Sequence, residues 1–418
     1  DFEGSDFISA ENQPVSYGNP TLRFTHRTAR VTVVLTDYTE GMASVKLTGL
    51  STENGNSAVI APYDKGGDTY TALVAPQSVA TGTAFITCAF TNGKVFVYKM
   101  QKAAEWKAGE EYTYTVSLAA AEDPGYTVSE DGKTYNVTSA DGLLAWNEAV
   151  QKDMTLNCTL ADNIDLTGKD WTPIGTSFGN SYTGTFDGNG KTITGLTVTG
   201  SDRYTGLFGF IKGTVKNVVL TEINITSGTF VGGVAGWSFG GNIENCSVSG
   251  SVSGSDVGGV VGYQQGGSIT GCSSSATVKG TQRAGGVAGA TNSGATLTAC
   301  YATGDVTVEN DGPNNACAGG VVGSNAYSTV IACYAAGNVS GTGSGTIHVG
   351  GVVGENYATV TACYWSGLPD NDNGGATKVD GTTVTWQNAV DAMNAALQNA
   401  GSEWRYELTG ALPTLKKQ

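Results

Sequence analysis

Charge and titratable side chains are scarce in this 418-residue sequence. Charged residues make up 14% of it, and its two histidines, His26 and His348, lie far apart. Lys and Arg number 22 against 37 Asp and Glu, a net charge of −15. That balance excludes nucleic acid as a partner, because phosphate binding needs clustered cations. Prolines number nine and no G-X-Y period occurs, which excludes a collagen-like chain. The 39% hydrophobic content is too high for disorder. No apolar run reaches about 18 residues, so no membrane-spanning helix is expected. No signal peptide is recognisable, and the opening "DFEGSDFISA" reads as a trimmed mature end. Neither a CxxC pair nor a Cys–His spacing suited to zinc is present, so neither metal nor cofactor is expected.

Glycine, by contrast, is abundant, at 61 residues. Much of it recurs in "GGVAG" and "GGVVG" units whose second Gly falls at Gly233, Gly259, Gly286, Gly320 and Gly351. A weaker copy, "TGLFG", places Gly206 upstream. Periods of roughly 20–50 residues signify solenoids, propellers or arrays. Within each unit an apolar residue precedes a Cys by three: Ile243 and Cys246, Ile269 and Cys272, Leu297 and Cys300, Val330 and Cys333, Val360 and Cys363. Alternation then follows, as in Cys333, Ala335, Gly337 and Val339, which is a strand with small residues inward. The units lack helical periodicity and are short for propeller blades. One turn of a parallel β-helix per unit is expected, with insertions before Gly320 and Gly351 projecting as loops. Equivalent Cβ atoms on stacked coils lie ~4.8 Å apart, too far for a disulfide, so the repeated cysteines are expected reduced and inward. Val218-Val219 stands at that position in the first copy. The pairing of Cys88, Cys158 and Cys317 is open.

Open solenoid ends require caps. "TSADGLLAWNEAVQ" and "TTVTWQNAVDAMNAALQNAG" both read as short amphipathic helices, the second with Trp386, Val390, Met393 and Leu397 on one stripe. "FDGNGK" reads as a turn, so Asp187 is a turn residue rather than a catalytic acid. Residues 1–120 lack the repeat. "TARVTVVL", "TAFITCAFTNGKVFVYKM", turning at Asn92-Gly93, and "EYTYTVSL" are alternating strands of a β-sandwich. The expected fold is therefore mainly β: a sandwich over 1–120, a linker and helical cap over 121–160, a β-helix over 161–367, and a C-terminal cap with a helix over 368–418.

"FTHRTARVTVVL", "TALVAPQSV" and "WKAGEEYTYTVSL" resemble the fimbrillin-like family of Bacteroidales surface proteins. "WTPIG", "YTGTFDGNGKTITGLTV", "TGLFG" and the units that follow resemble the GLUG-motif repeats of bacterial surface proteins. The resemblance implies an exposed adhesin at the outer membrane, pilus-associated or alone. The lipidated cysteine of such precursors is not in this chain, and a lipid anchor would be its one membrane contact.

Glycoside cleavage needs paired carboxylates, and lyase chemistry a base with a basic partner. Acidic and basic residues between 200 and 365 look scattered rather than aligned in a column. Asp305, Glu309 and Asp311 cluster, but in an insertion loop without a basic partner. "DNDNGG", from Asp370, mimics a calcium loop but has Gly381 where the twelfth-position Glu belongs. The strongest binding signal is aromatic. The residue after each ladder Cys should face outward, and in three coils it is Tyr301, Tyr334 and Tyr364, with Trp365 beside the last. Such a strip suits sugar rings, or it packs against itself or under the C-terminal cap. A second, less regular set is Trp237, Tyr263, Tyr327 and Tyr357. The expectation is a non-catalytic adhesion protein whose partner is a surface glycan, a host or bacterial protein, or other pilus subunits. The alternative is a carbohydrate-active β-helix enzyme.

Overall fold

The computed structural model describes residues 8–418 except 12, 14–17, 19–21, 39–40, 54–56, 91–94, 121–123, 130, 370–371 and 373. The turn at Asn92-Gly93 and the residue Asp370 lie outside the described residues. The chain divides into two units, Asp1–Thr127 and Val128–Gln418.

In the first unit, strand Ala29–Thr36 alternates buried and half-buried residues. It pairs in parallel with Glu111–Ser117 and antiparallel with Thr69–Val74. A second sheet joins Met42–Leu47, Ala84–Phe90 and Val95–Lys99, all antiparallel. One core unites both sheets, with Val31, Val33 and Leu35 from the first and Leu47, Phe85 and Ile86 from the second. This is a sandwich, as expected from the alternation. The buried Trp106 donates its indole N–H to the Tyr114 hydroxyl at 2.8 Å.

In the second unit, parallel strands stack into a solenoid of about seven turns over 158–365. Identical inward roles recur coil after coil. Phe186, Val215, Ile243, Ile269, Leu297, Val330 and Val360 form one interior column. Leu220, Val248, Ser274, Ala302, Ala335 and Trp365 form another. Between them runs the cysteine ladder, Cys246, Cys272, Cys300, Cys333 and Cys363, all buried and all free thiols. Val218, at 0% exposure, takes that place one coil earlier. Each ladder thiol donates to the carbonyl two residues before it, at 3.3–3.5 Å. The intervening residue has positive φ: Asn245, Gly271, Ala299, Ala332 and Ala362. Cysteine here therefore fills a narrow interior, and its thiol adds a second, weak contact to a carbonyl that already accepts a backbone N–H from the preceding coil.

The GGVxG unit is a fold-back. After the GG pair the strand returns so closely that its last Gly presses on the strand of the preceding coil. A Cβ on Gly236, Gly262 or Gly289 would sit 2.4 Å from Thr205 N, 2.5 Å from Val231 N or 2.8 Å from Val257 N. Only glycine permits that approach. The first coil departs from the pattern. Register places Gly206 beside Gly232, and the buried Leu207 stands where later coils carry the second Gly.

Helix α1 (Ala140–Val150) starts at Ser139, whose hydroxyl accepts from Gly142 N. It buries Trp146 against Tyr182, Phe186 and Phe208, closing the start of the solenoid. Helix α2 (Trp386–Asn399) opens with a capping box of Thr385 and Asn388 and buries Ala389, Val390, Met393 and Leu397. Among the described residues, no helix is long and apolar enough to cross a membrane.

The helix α2 segment is not an end cap. The last coil is closed by Thr377–Lys378, which pairs with Tyr364-Trp365. The carboxylate of Asp372 helps, accepting from Val352 N, Gly374 N and Ala376 N. Helix α2 and the hairpin of Trp404–Glu407 with Thr414–Lys417 instead lie along the side of the solenoid. They cover an apolar stripe that includes Ala299, Ala332 and Tyr334. The hairpin reaches back to the coil of Glu244, which Lys417 engages at 2.7 Å.

Candidate functional site

The tyrosine strip forms but does not face solvent along its length. Tyr301, Tyr334 and Tyr364 are ladder neighbours, and the rings of Tyr301 and Tyr334 stack at 4.9 Å with a 1° interplanar angle. Tyr334 is 1% exposed beneath the lateral clasp of α2 and its hairpin. Its hydroxyl donates to Pro413 O at 2.6 Å, and its ring meets Trp386 and Tyr406 edge-on. Burial pushes its phenol well above the ordinary range. Tyr364 packs against the same cluster. Trp365 does not extend the strip. It succeeds Ala335 in an inward column, is 4% exposed, and plugs the last coil above Gly351, where a Cβ would come within 2.2 Å of the indole. The alternation that points Tyr364 outward necessarily points Trp365 inward.

The clasp ends at Trp404, which lies flat over the corner at Gly271; a Cβ there would come within 2.3 Å of the ring. Corner residues under the clasp are Gly271, Ala299 and Ala332, whereas beyond it they are Asn217 and Asn245. Asn245 donates its amide to Asn217 Oδ1 at 2.8 Å, and Asn217 to Asp187 Oδ1 at 3.0 Å. Asp187 is thus a turn residue, also paired with Lys216. At this ledge three recesses follow one another, of about 510, 140 and 260 Å3. Trp404 borders the first two, and Tyr301, Ser247 and Ser273 the last two.

On the fold-back side, two outward columns face each other. One runs Tyr204, Phe230, Asp256, Arg283, Cys317 and His348. The other runs Phe210, Trp237, Tyr263, Ala290, Ser324 and Glu355. At the early coils their rings interlock, with Phe230–Trp237 at 4.6 Å and Trp237–Tyr263 at 4.4 Å. At the later coils they enclose a recess of about 210 Å3 bordered by Arg283, Cys317, His348 and Glu355. Titratable residues therefore do form a column, contrary to the scattered arrangement expected. Phe230, Asp256, Arg283, Cys317 and His348 each stand three residues before the second Gly of their unit. That common offset was the available signal, obscured because the five differ in chemical type. Tyr327 and Tyr357, 79% and 67% exposed, lie off these columns.

Burial pushes the Cys317 thiol up to about 12, and His348 Nε2 stands 3.9 Å from Glu355 Oε1. Arg283 is held by the buried Asp256 through two contacts of 2.9 and 2.8 Å. Burial raises the Asp256 carboxyl against the lowering pull of that guanidinium. Asp305 accepts from Asn338 N, a structural bond across coils. No group of three or more His, Cys, Asp or Glu among the described residues is arranged for a metal.

Residues 1–132 match the family model described as fimbrillin-like, and residues 227–253 and 253–279 each match the GLUG motif. The fimbrillin-like match implies a cell-surface protein. Halomucin of Haloquadratum walsbyi is 32% identical over 201 residues, 42% of this chain but 2% of that protein. The chain thus spans a small fraction of that relative's length. A candidate immunoglobulin A1 protease from Bacteroides ovatus shares the fold at a TM-score of 0.54, with 20% identity over 71% of this chain and 95% of that one. A candidate cell adhesion protein from Bacteroides uniformis aligns over 28% of this chain and 57% of its own, at 20% identity and a TM-score of 0.23.

Proposed function

We propose that the chain is a non-catalytic adhesion protein of a bacterial cell surface, whose solenoid offers a lateral face to a glycan or protein on another surface. One observation carries this reading. The recurring residues of the repeat build the rod, as fold-back glycines, inward valines and buried thiols, whereas the outward positions change from coil to coil among rings, charged groups, hydroxyls and amides. The fimbrillin-like match of the first unit supports surface display, with outer-membrane anchoring by lipid and assembly into a pilus as its finer possibilities. The second reading, an enzyme acting on glycans or proteins, is favoured by the recess at Cys317, His348 and Glu355. The raised thiol and the engaged Arg283 weigh against it. The test is an array of surface glycans and extracellular proteins probed with the intact chain, followed by mass analysis of each bound partner. Binding with unaltered partners supports adhesion, and cleavage products would replace it with the enzyme.

A further inference from the structure

Along the edge of the clasp one outward ladder changes from tyrosine to serine. Tyr364, Tyr334, Tyr301, Ser273 and Ser247 are successive neighbours in it. Tyr301 therefore has one face stacked on Tyr334, while its other face looks toward Ser273, too small to cover it. The recess of about 260 Å3 opens at that uncovered face. Ser247, Ser273, Ser275 and Thr303 border it, and neither their hydroxyls nor that of Tyr301 makes a side-chain hydrogen bond to another described residue. Some outward hydroxyls and amides elsewhere bond across coils, as Thr194 with Thr221, Ser253 with Thr226 and Ser268 with Asn242. On the ledge Ser249 bonds to Leu220 O, and the remaining hydroxyls are left open beside a ring face. Past the Asn217–Asn245 pair and under Trp404, the groove widens to the recess of about 510 Å3. There Lys417 lies 2.7 Å from Glu244 and 3.5 Å from Glu403, two carboxylates against one ammonium.

We infer that this ledge binds a neutral, hydroxyl-rich glycan, with one sugar ring continuing the tyrosine stack over Tyr301. Hydroxyls both donate and accept, which matches the alternating demands of a polyol. An aromatic face takes the C–H side of a sugar ring as it takes other apolar faces. The surplus carboxylate disfavours an acidic glycan, as does the chain's net charge of −15. The inference deepens the adhesion reading and rests on it only for its setting.

The intact chain should be titrated with cellopentaose, maltopentaose, mannopentaose and N-acetylchitopentaose, with a hyaluronan hexasaccharide as the acidic probe. Saturation-transfer NMR would report which sugar protons meet the protein. Ser273→Tyr adds a protein ring in the register that Tyr301, Tyr334 and Tyr364 already occupy, so it fills the site while preserving the fold. Thr199→Tyr, exposed on another coil, is the control. Tyr301→Leu removes the ring but keeps apolar bulk against the clasp. At least one neutral probe should bind the wild type and Thr199→Tyr, and should weaken about tenfold or more in both Ser273→Tyr and Tyr301→Leu, the loss of one stacking contact of roughly 1.4 kcal/mol. Binding as tight as wild type by either ledge variant, preference for the hyaluronan fragment, or no neutral probe bound at millimolar concentration would each overturn the inference. A chain that adheres to surfaces yet binds no neutral probe loses this site and keeps the adhesion reading. A chain that binds the probe but no surface does the reverse.

Discussion

Replacing Tyr334 by alanine distinguishes a structural ring from a ligand-facing one. At an exposed binding strip such a change costs no more than about 0.5 kcal/mol of stability. Tyr334 is instead 1% exposed, stacked on Tyr301, and packed against Trp386 and Tyr406. Truncating a buried aromatic ring costs roughly 3–5 kcal/mol. Losing the bond to Pro413 O adds about 1 kcal/mol, because that carbonyl stays buried. Tyr334→Phe isolates the hydrogen bond and should cost about 1 kcal/mol. Tyr301→Ala should fall between, losing one side of a stack worth roughly 0.5–1.5 kcal/mol plus partial burial. The assay is urea unfolding of the intact chain followed by tryptophan fluorescence, to which Trp386 and Trp404 contribute among seven tryptophans, compared by the shift of the midpoint from wild type. The expected order of destabilisation is Tyr334→Ala, then Tyr301→Ala, then Thr199→Tyr near zero. A Tyr334→Ala midpoint indistinguishable from wild type would show the clasp does not hold that ring, and the strip would regain its place as an open surface.

Gly289→Ala should cost about 3 kcal/mol or more, since its Cβ would meet Gly262 O at 2.6 Å and Val257 N at 2.8 Å; Gly179→Ala, with nothing within 4 Å, should be near neutral in the same melts. Non-reducing mass spectrometry should return free thiols throughout the cysteine ladder, and native alkylation should leave them unmodified; two or more disulfides there would contradict the register. Truncation after Thr382 bares Ala299, Ala332 and Tyr334, so light scattering should report concentration-dependent association, and a monomer at high concentration would refute the clasp. Side-chain and backbone donors of Thr155, with Lys133, hold Asp153 down to about 2, and the backbone N–H groups of Thr382, Val384 and Thr383 do the same for Asp380. Both folded values lie below the ordinary 3.8, so their stabilisation is complete above about pH 4 and lost as pH falls toward 2. Melting at pH 5, 3 and 2 checks this, and a flat profile would contradict it.

The rod was legible because its physics is local. Period-two alternation after each Cys, the three-residue step from Ile243 to Cys246, and the glycine pairs all report on neighbours within one coil. Ser139, a good N-cap type, likewise stands where helix α1 begins. Trp365 was also determined locally, since alternation assigns it inward with Ala335, but its size suggested a surface ring. Packing of the tyrosines under the C-terminal segment was one of the two sequence readings, but which ring the segment covers was not legible. It depends on Pro413 and Tyr406, more than seventy residues away, and no periodicity encodes where a tail returns. The substitution of Asn217 and Asn245 by Gly271, Ala299 and Ala332 at successive corners traces that cover, but its meaning emerges once Trp404 is seen over Gly271 and Tyr406 at Ala332. The column of Asp256, Arg283, Cys317 and His348 was hidden because its members differ in chemical type, although each stands three residues before the second Gly of its unit.

The central claim, adhesion through the side of the rod without chemistry, is tested most directly by beads coated with the intact chain and placed under flow on glycan-coated and cell-coated surfaces. Retention and the release of sugar or peptide fragments should be followed together over hours. Beads should be held on a defined surface and displaced by the soluble form of that surface's ligand, with no fragments accumulating. Fragments that accumulate in proportion to bound chain, or beads that no surface retains, would contradict it.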